Sequence, residues 1–176
     1  MNVDPNQLYL VTGIEGYTPQ VSYLLSMMNY ARHTTLMAVK GLSMQQLDEP
    51  VDANSNTIGA LLLHFAALEY AYQVETFEQR ELTKEEIAKW GPALDLGEEG
   101  RRAIKGHELN YYLRQMEEVR NRSHQLFRRV DDDWLFQEEE FWHKKQANYY
   151  FMWFHVLEDE INHRGQIRWM RKRLRA

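Results

Sequence analysis

The stretch 155–174, "HVLEDEINHRGQIRWMRKRL", decides how the rest of the chain is read. His155, Asp159 and His163 follow one another at steps of four residues, a spacing that stacks side chains on successive turns of one helix face. A helix advances about 100° per residue, so Asp159 falls about 40° and His163 about 80° from His155. On the same wheel Met152 and Met170 lie at about 60°, Val156 and Leu174 at about 100°, and Ile167 at about 120°. Asp159 and His163 therefore interrupt an apolar face. Glu158, Glu160, Arg164 and Lys172 lie mostly in other directions. A second apolar face, Phe154, Leu157 and Ile161, gives this helix a reason to pack against more than one neighbour.

Working outward, three more stretches carry helical periodicity. The first runs from about Thr18 to Lys40, with Pro19 suited to a first turn and Gly41 just past the end. The second runs from about Thr57 into the late seventies, with Asn54, Ser55 or Asn56 as candidate caps. The third runs from about His107 to Val130, and the last begins at about Gln146. The connection between the second and third is long enough to cross a bundle. It contains Thr83 and Glu86, spaced as a capping box for a short helix. The connection "DDDWLFQEEEFWHKKQ", residues 131–146, is acidic and aromatic, and either covers one end of a bundle or forms a short hairpin. The expected fold is all-α: a four-helix bundle with a long crossover from helix two to helix three, in one domain spanning 1–176.

On helix two, Thr57, Leu61, His64, Leu68, Tyr72 and Glu75 share one face. A lone histidine on an apolar face is more often a hydrogen-bonded core residue than a ligand. Asp159 alters that balance, because an inward carboxylate is costly unless it is paired or metal-bound. Two readings stay open: an Asp159–His163 hydrogen bond, and a metal held by groups on two helices.

Composition limits the rest. The chain has 176 residues, 44% hydrophobic and 12% aromatic, with a formal net charge of -5. It can fill a sizeable core, and the charge argues against nucleic acid. The basic cluster "RWMRKRLR" reads as cations at a helix C-terminus. There are no cysteines, which excludes disulfides, thiolate metal sites and cysteine nucleophiles. The N-terminus shows neither the basic start nor the apolar run of a signal peptide, and no stretch is long and apolar enough for a membrane span. The expectation is a cytoplasmic protein with no nucleic-acid or membrane partner. Five Trp, ten Tyr and seven Phe exceed what a small monomer readily buries, so a homodimer is expected.

At "HRGQI", residues 163–167, the sequence resembles the DinB-like (DinB/YfiT) superfamily of four-helix-bundle proteins. The histidine in "ALLLHFAALE", the long second connection and the closing "HRGQ" helix carry the resemblance through most of the chain. It implies a divalent metal, zinc or nickel first and iron or manganese also compatible, held by one histidine of helix two and two residues of helix four. Those positions map to His64, Asp159 and His163. Where the family typically has a third histidine this chain has Asp159. His155 becomes a supporting or substitute ligand, and Gly165 and Gln166 become packing and supporting residues. Two histidines and a carboxylate leave coordination positions open, as catalytic sites do. The resemblance implies a metal-dependent enzyme, hydrolase-like or transferring a small-molecule thiol, in which metal activates water or the thiol. The alternative is a non-catalytic small-molecule-binding or stress-response module whose metal is structural or absent. Trp134, Phe141 and Trp142 are expected to wall a pocket at the end of the bundle where the site opens.

Overall fold

A computed structural model describes residues 7–174; residues 1–6, part of the stretch read for a signal peptide, and residues 175–176 lie outside the described residues. Four long helices carry the architecture: α1 (Pro19–Val39), α3 (Ile58–Gln73), α6 (Leu109–Phe127) and α8 (Tyr149–Arg171), with the short α2 (Met44–Asp48) and α7 (Asp132–Leu135) in the connections. Each starts where local chemistry permits. Pro19 opens α1, where its missing N–H costs nothing. Thr57, rather than Asn54, Ser55 or Asn56, caps α3 by accepting from the Ala60 amide. Asn148 caps α8 by accepting from Phe151. Helix α8 therefore begins three residues later than the sequence suggested. Gln146–Asn148 instead form a strand, β2, that pairs antiparallel with β1 (Glu138–Glu140).

The side-chain contacts fix the directions of the helices. Going up α1, Gln20 meets Tyr150, Arg32 meets Glu160 and Ala38 meets Arg171, so α1 and α8 run parallel. Gly59 lies against Tyr112 while Gln73 meets Ser123, so α3 and α6 also run parallel. His64 meets Asp159 while Thr76 meets Trp153, so α3 and α8 are antiparallel. A parallel α3–α6 pair needs a connection that returns along the whole bundle. That return holds α4 (Lys84–Asp95) and α5 (Gly97–Ala103). Thr83 and Glu86 form the expected capping box at its start.

Two apolar clusters fill the interior. One is centred on α3, α4 and α6, with Leu61, Leu62, Tyr112 and Met116. The other is centred on α1 and α8, with Leu24, Leu25, Met152 and Trp153. A charged cluster also lies in the interior, built from one residue of each long helix: Arg32, Glu69, Arg120 and Glu160, all buried. Glu69 accepts from Arg120 Nε at 2.6 Å and from Arg32 at 3.2 Å; Glu160 accepts from Arg32 Nε at 2.9 Å. Two cations and two anions neutralise one another, which is what lets ionised groups sit away from water.

Two expectations for α8 are corrected here. Glu160 points inward, drawn by Arg32 and Arg120. On the second apolar face Leu157 is buried, but Phe154 and Ile161 are exposed, because α1 covers only part of that side. Among the described residues, no helix is long and apolar enough to cross a membrane.

Candidate metal centre

Helix α3 brings His64 to the seam with α8. The apolar run around it, "ALLLHFAAL", buries nearly every face of that stretch of helix, so the histidine is largely shielded from water. Its Nδ1 lies 2.8 Å from the Ala93 carbonyl. A carbonyl only accepts, so Nδ1 carries the hydrogen and donates it. Ala93 is free to accept for a local reason. It sits in the last turn of α4, where carbonyls lack helical partners. The Gly97 amide, which would reach back to it, donates instead to Asn56 Oδ1 at 2.9 Å. The long crossover thus fixes the tautomer of His64.

With Nδ1 protonated, neutral His64 presents a bare lone pair at Nε2. That atom lies 3.2 Å from Asp159 Oδ2, an oxygen buried with no aligned hydrogen-bond donor. In that neutral form two acceptors face each other and a cation could bridge them; with both ring nitrogens protonated, His64 instead donates to Asp159. The other carboxylate oxygen, Oδ1, lies 3.4 Å from His163 Nε2, and His163 Nδ1 is also buried without an aligned partner. The rings of His64 and His163 meet edge to face, 5.1 Å between centroids. One ligand atom from each of His64, Asp159 and His163 lies within 4.8 Å of the others, and the group could hold a metal ion. The donor set and its unsatisfied atoms fit a divalent cation.

Without a metal the same group can pair by hydrogen bonds instead: burial opposes the Asp159 charge, yet hydrogen bonds and positive charge from His163 and His64 in their protonated forms outweigh it and hold the carboxyl well below its usual range. Burial also opposes a His163 cation, but the Asp159 carboxylate beside it wins and raises the His163 pKa. The neighbouring Glu160 ties α8 to Arg32, which fixes the rotation that turns Asp159 toward α3.

His155 stands apart from this group. Its ring packs against Trp142, 4.6 Å between centroids, and against Tyr72 at 6.0 Å, and its Nδ1 lies 3.4 Å from Glu158. Trp142 and Phe141 therefore cover the tier of Tyr72 and His155, next along the seam from Asp159. Trp134 is farther off, stacked on Phe77 at 4.3 Å. The groove of about 460 Å³ beside the hairpin is lined by residues of 138–151 and by none of the three candidate ligands, so the aromatic pocket expected around the site is displaced by one tier. A Cβ added at Gly165 would meet nothing within 4 Å. Close packing does not require glycine there, whereas Gln166, though exposed, supports the site as expected by hydrogen-bonding His163.

Sequence reasoning missed the Ala93 carbonyl, a backbone group that no residue type announces. It also missed the Arg32–Glu69–Arg120–Glu160 cluster, for which a signal existed. Arg32 is the one Lys, Arg, Asp or Glu in α1, and Glu69 is the one in α3.

Comparison with known proteins agrees with this architecture. The family model described as mycothiol-S-transferase matches residues 23–176. The chain belongs to that family, which is DinB/YfiT-like. No curated protein matches the chain significantly. The family suggests a metal-dependent function of the thiol S-transferase kind, with a small-molecule thiol as substrate.

Proposed function

We propose that this member of the mycothiol-S-transferase family is an enzyme that joins a thiol, mycothiol by the family's description, to an electrophilic small molecule. His64 Nε2, an Asp159 oxygen and His163 Nε2 hold the divalent ion, with zinc or nickel the first expectation and iron or manganese compatible with the same donors. When bound, the ion supplies the Lewis acidity that lets a thiol lose its proton near neutral pH. The chain's own residues do the rest. Ala93 holds the hydrogen of neutral His64 on Nδ1, which leaves Nε2 as the ligand atom. Asp159 brings the negative charge that offsets the cation. The Arg32–Glu160 pair holds α8 at the rotation the site needs, and the leucines around His64 exclude water. His155 stays outside the ligand set.

The observation that carries this reading is the convergence of three ligand atoms from two antiparallel helices within 4.8 Å. A thiol transferase needs its cosubstrate reduced, which places the protein in the cytoplasm in this reading. The exposed Phe154, Ile161 and Tyr30 on the α1–α8 side are the surface on which the proposed homodimer forms.

The test is thiol consumption by protein stripped with chelator and then reloaded. With mycothiol and an alkylating electrophile, the stripped protein should be inactive. Zinc or nickel should restore conjugation in wild type but not in His64→Ala. Equal rates with and without metal would overturn the proposal. Thiol-independent ester hydrolysis by the loaded protein would replace it with the hydrolytic reading. A loaded protein with no turnover of either kind would leave a binding module.

A further inference from the structure

Gly165 stands inside α8 with no reason for it in its own chain. Glycine destabilises a helix interior relative to alanine. A Cβ there would meet nothing within 4 Å, and the residue is exposed. At about 100° per residue, Gly165 lies about 20° to one side of Phe154 on the helix, and Ile161 about 20° to the other. Phe154 is 42% exposed and Ile161 40%. The notch at Gly165 therefore belongs to the same outer stripe as the two apolar side chains that α1 leaves uncovered.

The apolar surface continues onto α1. A groove of about 420 Å³ is lined by Phe154, Leu157 and Ile161 of α8 and by Met27 and Tyr30 of α1. The stretch 8–11 lines it too, and there Tyr9, Leu10 and Val11 are all more than half exposed. So much apolar surface on one side marks an interface. The charges beside it are sorted by end. Asp131, Asp133, Glu138 and Glu140 are exposed near the start of α8, where Tyr149 meets Gln137 and Trp134. Arg168, Lys172 and Lys40 are exposed at the other end, where Arg171 meets Ala38. Two copies stacked parallel would set like charges together. Stacked antiparallel, each acidic end meets a basic one.

Resting on the homodimer reading, we propose that two copies pack α8 against α8 antiparallel, with Phe154 of each seated over the partner subunit's Gly165. The midpoint between these two positions falls at residues 159–160, and α8 itself, Tyr149–Arg171, is centred on residue 160. One two-fold axis thus brings each large side chain to a glycine and overlaps the two helices along their whole length. The glycine, which nothing in its own chain uses, gives the phenyl ring room.

The chain has no cysteine, so single introduced cysteines report the packing without background. With the axis near residue 160, the two copies of residue 161 lie within one turn of each other, and the two copies of residue 172 about 36 Å apart along the helices. Ile161→Cys should cross-link to itself through a short bismaleimide, and Lys172→Cys should not. Cross-linking of both, of Lys172→Cys alone or of neither would overturn the proposal and leave the homodimer standing. The notch is tested by exchange. Phe154→Ala and Gly165→Leu should each raise the dimer dissociation constant about 10- to 100-fold in sedimentation equilibrium, with circular dichroism unchanged. The double variant swaps large for small and should dimerise about tenfold more tightly than either single one. Losses that only add would overturn the pairing. A single-chain mass for wild type at every concentration would remove the proposal and the homodimer together.

Discussion

Asp159 is the residue on which the site turns. Its oxygens face His64 and His163 at 3.2 and 3.4 Å, while His155 engages Glu158, Tyr72 and Trp142. Asp159→Ala should abolish zinc retention measured by elemental analysis, and His155→Ala should keep most of it; the reverse pattern would show that the ligand set is wrong. The metal-free protein makes a second prediction. The Asp159 pKa is depressed from 3.8, so its stabilising share is full above 3.8 and is lost as pH falls through the lower folded value. The His163 pKa is raised from 6.5, so its share is full below 6.5 and is lost as pH rises through the higher folded value. The stability advantage of chelated wild type over Asp159→Asn, measured by urea unfolding, should therefore be largest between about pH 4 and 6.5. It should shrink on either side; a flat difference would mean the pair does not interact. At this scale much was legible, because an aspartate and two histidines at inward helical positions are few enough to place on a wheel. The tautomer was not, since it depends on where residue 93 of a distant helix puts its carbonyl.

Among the elements, α8 and the crossover decide whether those residues meet. Helix α8 is held by Glu160, and Glu160 by Arg32 and Arg120. Removing one partner leaves an uncompensated buried charge, so Glu69→Ala should cost about 3–5 kcal/mol. That is a large share of a domain's usual margin, and urea unfolding would read it. A loss within a few tenths of a kcal/mol would show that the cluster relaxes into water. The four long helices were readable from periodicity, and the Thr83–Glu86 box from two residues. Glu160 was misplaced because on the wheel it sits at the edge of the apolar face, about 20° from Ile167, where a charge passes for solvated. The direction of α6 could not be read either: a long connection permits both parallel and antiparallel return, and only contacts at both ends, Gly59 with Tyr112 and Gln73 with Ser123, settle it. At the start of the crossover, Thr83→Ala removes a cap and should cost about 1 kcal/mol, with a Tm drop that scanning calorimetry resolves. No drop would mean the Arg80–Glu86 pairs hold that turn without the hydroxyl.

The whole molecule is a parallel pair, α1 and α8, packed on a second parallel pair, α3 and α6, with the candidate ion site on the α3–α8 seam. Its outer α1–α8 side keeps Tyr30, Phe154 and Ile161 exposed. Light scattering at micromolar concentration should give about twice the 21.1 kDa chain mass, and Phe154→Glu should return it to one chain; a single-chain mass for wild type would refute the dimer. The most direct test of the central claim is anomalous diffraction from crystals grown with zinc and mycothiol. The account predicts one strong peak per chain, bonded at about 2.0–2.2 Å to His64 Nε2, Asp159 and His163 Nε2, with the thiol sulfur at about 2.3 Å in the open position. A peak elsewhere, a fourth protein ligand closing the site, or no peak at these three side chains would contradict it.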